Sequence, residues 1–527
     1  MWLIAKKEFL LNLLSFRFAT GFILCIILIP LSVHISIKHY AERRSIYSSE
    51  REECAEQMRR LYTYSYIRPT ILRPPEPLSI FNRGIESTLG NRVRIQLGQV
   101  PFLAEGALQK RGNPLLASFL SIDFSFIVTV LFSLMALLFT YDAISGEKER
   151  GSLRGILANK LSRDKLLLGK LLGNTLTLLP IITVSFAAGL LLILLSRRVE
   201  FQQGEWIRLG GLFLVTFLYM LLFMLLGMFI STRTHSSTTS LMVSLFLWVL
   251  LVVVVPVASP YLAQSLTSVT PRETVDQAAA ELNREFRAKV REYEETLPEP
   301  EWDIGFGRYY GVDGAHLEVA SPRDVMENQR LIHSFQEPLR IEYADRKWRI
   351  QQTYLDGLLH QQRLAQRLGW VSPASVFRDI TSGLTTTDVS SYLHFMQLAR
   401  RYRDQIINYY QSRNLFSSYA YFTQQKEEEM RSLDELIYYI TEGRFSTYKE
   451  LSEGRDFWGV VKEFTRELPR REDLPYLEIK DIPQFSWQRE GLEDFLKGSL
   501  TELSIMVFVP IVLFLLGYVS FIRYDPR

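Results

Sequence analysis

The sequence predicts an all-α integral membrane protein, with six transmembrane helices and a large, mainly helical extracytoplasmic domain built from two inserts. Three observations predict it. Six windows, starting at Phe18, Phe124, Leu171, Leu209, Leu241 and Leu503, contain no Asp, Glu, Lys or Arg. Each approaches or exceeds the roughly 20 apolar residues that a helix needs to cross ~30 Å of hydrocarbon while satisfying its own backbone hydrogen bonds. The mean hydropathy of +0.04 averages these windows with long stretches dense in Arg, Glu, Gln and Tyr. Those polar stretches carry helix-start signals and lack the Asn-Gly or Asp-Gly turns that would mark β-hairpins, so a β domain is not expected.

Composition excludes several classes. With 47% hydrophobic and 13% aromatic residues the chain is not disordered. Its two cysteines, Cys25 in an apolar window and Cys54 outside it, make no disulfide scaffold. A net charge of +3 gives no electrostatic reason for a nucleic-acid partner. There is no Gly-x-x-x-x-Gly-Lys-Ser/Thr phosphate loop, no His-Glu-x-x-His and no Gly-x-Ser-x-Gly, and the seven histidines are scattered. No catalytic residue, metal site or cofactor is therefore expected in this chain.

In chain order, residues 1–17 read as an amphipathic helix leading into the first span at 18–38. The other spans fall at 123–141, 171–196, 207–232, 238–259 and 501–523, with Pro256 and Pro260 blurring the end of the fifth. Short loops rich in Lys and Arg stay in the cytoplasm. The segment 142–170 carries Lys148, Arg150, Arg154, Lys160, Arg163, Lys165 and Lys170, so it is placed inside, with both termini. The inserts at 39–122 and 260–500 then lie outside. The chain is thus expected to be a multi-pass protein in contact with membrane lipid.

The first insert begins as a charged helix over Lys38 to Arg60 and turns extended where prolines 69, 74, 75 and 77 remove donors. In the second, Thr270-Pro271-Arg272-Glu273 and Ser321-Pro322-Arg323-Asp324 each suggest a hydroxyl cap followed by proline at the first helical position. Ser372-Pro373 and Thr387-Asp388 suggest two more starts. Apolar residues from Met326 to Leu368 recur at helical spacing. A long amphipathic helix is expected there, paired in an antiparallel stalk or bundle with 387–413 through Tyr392, Phe395, Leu398 and Ile406. Leu468-Pro469, Leu474-Pro475 and Ile482-Pro483 read as an extended return to the membrane.

The informative inner stretch is Ser145, Gly146, Glu147, Lys148, Glu149, Arg150, Gly151, Ser152 and Leu153, directly after the second span. Two short helical pieces punctuated by the glycines would present a charged, mixed-sign face to the cytosol, suited to docking by a soluble protein. Polar groups inside the apolar windows are Asn174, Thr175 and Thr177 in the third span, Thr216 and Tyr219 in the fourth, and Ser244 in the fifth. They are the candidates for lining a pathway; the alternative is bonding to their own helix or a neighbour.

The run Asp142-Ala-Ile-Ser-Gly-Glu-Lys-Glu-Arg-Gly-Ser-Leu-Arg154, with Asn159-Lys-Leu-Ser-Arg163 and Leu168-Gly-Lys-Leu171 after it, resembles the signature of ABC-2 type transporter permeases. The resemblance covers essentially the whole chain. Pro77 to Gly84, Ser372 to Ser375 and Tyr392 to Phe395 resemble elements of a bacterial subgroup with long extracytoplasmic inserts. It implies a bacterial inner-membrane permease, most simply an exporter, that does no chemistry of its own. Two copies of a cytosolic ABC ATPase, holding ATP and Mg, would drive two permease chains through the segment 145–153. A second reading makes the chain a mechanotransmission subunit, passing ATP-driven motion to an extracytoplasmic partner protein with nothing crossing the bilayer.

Overall fold

A computed structural model describes residues 1–104, 123–153, 155, 162–299, 320–453, 457–467 and 474–523. Arg154, the Asn159–Leu161 stretch with Lys160, Leu468-Pro469 and Arg527 lie outside the described residues. Six helices are long and apolar enough to cross a membrane: Phe16–Arg59, Phe124–Glu149, Arg163–Ser196, Gln203–Arg233, Ser237–Leu266 and Leu500–Ile522. The protein is an all-α membrane protein with a mainly helical additional domain.

The amino-terminal helix is Trp2–Leu13, and the first-span helix starts afresh at Phe16, capped by Ser15. Its sides do not divide as an amphipathic helix should: Trp2, Leu3, Leu11 and Leu14 point outward, while Ile4, Ala5 and Glu8 meet the third span. The first-span helix has 44 residues, roughly 66 Å at 1.5 Å each, and so continues well beyond the hydrocarbon into the first insert.

Two spans carry a wide π turn, Val128–Phe132 in the second and Leu250–Val254 in the fifth. The fifth has an evident cause. A bond to Leu251 O at π spacing would come from Pro256, which has no N–H, and the Ser372 hydroxyl donates to that carbonyl instead. In the second span the Tyr219 hydroxyl donates to Thr129 O at 2.9 Å.

The two inserts share one core, in which Leu61, Ile71 and Val93 of the first meet Tyr354, Leu358, Phe395 and Ile406 of the second. A two-stranded antiparallel ribbon, β1 (Thr70–Leu72) and β2 (Arg92–Arg94), holds part of the proline-rich segment extended. The long helix is Arg323–Gly369. Its most extensive helical partner is Arg272–Glu294 rather than Val389–Ser412, which corrects the expected pairing. Phe286 meets Tyr343 at a tilt, Tyr293 stacks on Phe335, and Glu285 accepts from Tyr343 and Arg346. The proline caps also shift by one residue: Pro271 and Pro322 stay extended (ψ 139° and 149°) and themselves hold the position before the first helical residue. At Ser372 and Asp388 the expected caps form, accepting from Ser375 N–H and Ser391 N–H.

The helix after Ser372, Pro373–Leu384, is a wedge driven into the membrane bundle. Val376, Phe377 and Ile380 are fully buried in the same core as the spans, and Phe377 lies 4.6 Å from the Tyr219 ring. Arg208, at the outer end of the fourth span, donates to Gly383 O and Leu384 O, the wedge's last carbonyls, and to Glu490 O. Arg489 bridges Glu76 of the first insert, at 3.0 Å, to Glu205 of the fourth span. Burial pushes the Glu76 carboxyl up to about 6, against the pull of Arg489 and Arg73. The inserts and the spans are thus joined through charged contacts and one shared apolar core.

Candidate functional site

At the end of the bundle opposite the inserts, all six spans converge on the stretch 141–153. The second span ends at Tyr141, and after one turn the chain forms a five-residue helix, Ser145–Glu149. Its first N–H groups are served by the fourth span: Ile144 N and Ser145 N both donate to Ser231 Oγ at 2.9 Å. Tyr141 O accepts from Ser145 Oγ and from Ser240 Oγ of the fifth span.

The three charges that follow each engage a different element. Glu147 Oε1 accepts from Lys170 Nζ of the third span at 2.7 Å, and the same ammonium donates to Glu8 Oε1 of the amino-terminal helix at 2.7 Å. Lys148 donates to Thr232 O and Thr234 O, the last carbonyls of the fourth span, where a helix end carries partial negative charge. Glu149 accepts from Ser237 N–H at 2.8 Å, at the fifth span's positive end. Leu153 is 1% exposed and fills a cluster with Leu166, Leu167, Met228 and Phe521, so the third, fourth and sixth spans close around it. The first and sixth are tied by arginines: Arg17 meets Asp142 at 3.1 Å and Tyr141 Oη at 2.6 Å, and Arg163 donates to Phe521 O.

This geometry narrows the expected mixed-sign face to Glu149 and Arg150, both exposed. Glu147 and Lys148 point into the bundle, and the Glu149 carboxylate is held to Ser237; Ser145, Gly146 and Leu153 are buried. The outward surface is Glu149, Arg150, Gly151 and Ser152, with one charge of each sign. Gly151 supplies the turn, with φ at +71° and open space where a Cβ would stand. Glu147 and Lys148 turn inward because the Lys170 ammonium and the last carbonyls of the fourth span offer them partners there.

The pathway candidates are placed inside the chain. Thr175, Thr177 and Thr216 donate to carbonyls four residues back in their own helices. Tyr219 is fully buried beneath the wedge helix. Asn174 Oδ1 accepts from Asn12 Nδ2 at 2.6 Å, whereas Asn174 Nδ2 and Ser244 Oγ are buried without a partner among the described residues. The structure brings none of the six to the coupling stretch.

Sequence reasoning missed the buried Lys170–Glu8 contact, treating Lys170 as one more boundary cation. A signal was present in Gly169-Lys-Leu-Leu-Gly173, the small-residue spacing that lets helices approach closely. A Cβ at Gly173 would stand 2.6 Å from Glu8 Cβ, and one at Gly169 3.0 Å from Ile4 Cβ. Arg17, Ser231 and the wedge helix had no comparable signal, because nothing local in the sequence tells which distant helix end a polar group meets.

Comparison with known proteins agrees with this architecture. Two curated relatives are both named probable ABC transporter permease protein NosY. The Pseudomonas aeruginosa protein is 46% identical over 68 residues, 13% of this chain and 25% of its own length. The Stutzerimonas stutzeri protein is 41% identical over 81 residues, 15% of this chain and 29% of its own. The matches therefore span only about a quarter of these relatives. A family profile described as ABC-2 family transporter protein matches residues 2–525, nearly the full length. The chain belongs to the ABC-2 family of transporter proteins.

Proposed function

We propose that the chain is the membrane-spanning permease subunit of an ABC-2 transporter in the bacterial inner membrane, working as an exporter. Two copies of a cytosolic ATPase that binds ATP and Mg drive it as one of a pair of permease chains. The observation that carries this reading is the arrangement around 145–153, where Glu149, Arg150, Gly151 and Ser152 are exposed while residues of the same stretch hold the third to sixth spans and, through Lys170, the amino-terminal helix. A rigid push on the exposed turn reaches all of these elements together, as two-state rocking of a packed bundle requires. The excess of Lys and Arg in this segment supports its placement on the cytoplasmic side.

One observation favours motion passed onward to an extracytoplasmic partner protein, in a mechanotransmission role. The first-span helix runs unbroken from the coupling end into the shared core of the inserts, so tilting it would move that domain. A solute pathway between the two permease chains separates the roles.

Arg150→Glu combined with Ser152→Glu tests the docking surface, since both side chains are exposed and neither holds another span. The double variant should accumulate normally yet lose co-purification with the co-expressed ATPase by about tenfold or more, as reversing interface charge does. Undiminished co-purification would remove the docking role from this turn.

A further inference from the structure

Beside the wedge helix lies a cavity of about 110 Å³ that no step above employs. Pro256, Ser259 and Pro260 of the fifth span form one wall, and Gln362, Gln366 and Gly369 of the long helix form another. The wedge contributes Ser375, Arg378 and Asp379, and Asp388 stands at the rim. The absence of a side chain at Gly369 keeps the space open, since a Cβ there would lie 3.3 Å from Ser375 Oγ.

Two observations show that the cavity is furnished for a ligand. Ser375 is 4% exposed, and its hydroxyl, which lines the cavity, has no hydrogen-bond partner among the described residues. The Asp379 carboxylate also faces the cavity, and among the described residues it makes neither a side-chain hydrogen bond nor an ion pair. Burial, with Glu502 and Asp388 adding to it and Arg378 opposing it, pushes this carboxyl up to about 7. Asp388 is already committed, accepting from Ser391 N–H and Oγ–H. Arg208 lies close enough to Asp388 to interact with it, whereas Asp379 shares Arg378 with two neighbouring carboxylates, Glu502 and Asp388, and has no cation bonded to it among the described residues. No cluster of three metal-ligating side chains occurs among the described residues, which argues against a divalent ion.

A primary ammonium supplies what is missing: one positive charge and three donors, for the carboxylate, the serine oxygen and a glutamine oxygen. The volume corresponds to about three or four waters at ~30 Å³ each, enough for an ammonium and one or two methylenes. Beyond the cavity, Val253, Val257 and Tyr261 of the fifth span, spaced four apart on one helix face, form an exposed, largely apolar track. We propose that this cavity binds the primary ammonium group of an amphiphile whose chain lies along that fifth-span face. The site goes beyond the permease reading and does not depend on an ATPase.

The test uses the full chain in phosphatidylcholine nanodiscs, which contain no primary amine, with fluorescence of Trp370, adjacent to Gly369, as the reporter and Trp370→Phe as background. Dodecylamine should bind saturably, and both dodecanol and ethylamine about tenfold or more weaker. Asp379→Asn should weaken dodecylamine by about tenfold or more, the scale of a lost charge-assisted hydrogen bond, and Asp379→Glu should restore most of it. Should Asp379→Asn fail to fold, Gln366→Lys, on a half-exposed position, places a fixed ammonium in the cavity and should abolish binding. Equal dodecylamine affinity in wild type and the Asp379→Asn or Gln366→Lys variant would overturn the proposal. Ethylamine binding as tightly as dodecylamine would overturn it as well.

Discussion

Replacing Lys170 with methionine is expected to destabilise the fold strongly. Lys170 is 2% exposed and holds two carboxylates, Glu8 and Glu147, each at 2.7 Å. Without it, two like charges face each other with no counter-charge, and breaking a buried pair in this way costs about 3–5 kcal/mol. Native proteins are stable by only about 5–15 kcal/mol, so a substantial part of that margin disappears. Fluorescence-detected thermal unfolding in detergent should show a large drop in Tm. Adding Glu8→Gln and Glu147→Gln should recover much of it, because the uncompensated charges are then gone. The triple variant should still couple poorly to the ATPase, since the amino-terminal helix and the coupling turn would no longer be joined through the third span. A single Lys170→Met protein with wild-type Tm would show that the triad contributes nothing.

Gly173→Val should displace the amino-terminal helix. A Cβ at this position would meet Glu8 Cβ at 2.6 Å and Ala5 O at 2.8 Å, and the backbone atom cannot swing aside. Overpacking of this kind costs about 1–3 kcal/mol if the contact is kept. The cheaper response is for the amino-terminal helix to lift off the third span, taking Glu8 away from Lys170. Trypsin cleavage after Lys6 and Lys7 should then accelerate about tenfold or more, because cleavage follows the population of the open form. Gly210→Val is the control, since nothing lies within 4 Å of a Cβ there. Equal cleavage of the two variants would mean that the close approach at Gly173 does not hold the helix down.

These expectations rest on contacts that differ in how legible they are from sequence. The spans were legible because a membrane imposes one constraint on every residue of a window, and a single Lys or Arg marks its edge. The caps at Ser372 and Asp388 were legible because the side chain and its N–H partner lie three residues apart. At Thr270 and Ser321 the same pattern misled, since the proline after each stays extended and the helix starts one residue later. The pairing of the long helix with Arg272–Glu294 turned on Phe286 and Tyr293 meeting Tyr343 and Phe335, which periodicity alone does not choose.

The coupling segment shows the same division. Its place after the second span, and its glycines, were readable. The direction of its charges was not, because Glu147, Lys148 and Glu149 are consecutive in sequence yet their partners lie at residues 170, 232 to 234 and 237. Only the assembled bundle brings those helix ends to one place. The wedge helix was hidden for a related reason: its fully buried face of Val376, Phe377 and Ile380 is too short to register as membrane sequence, although it lies in the core of the spans.

The side of the membrane on which Ser152 lies, and what covers it there, test the whole account at once. In a Cys54→Ser background, with Cys25 buried, Ser152→Cys offers one exposed thiol. An impermeant maleimide should label it in inverted inner-membrane vesicles and leave it unlabelled in intact spheroplasts, and co-expressed ATPase should protect it. Labelling from the outer face of spheroplasts would contradict the account.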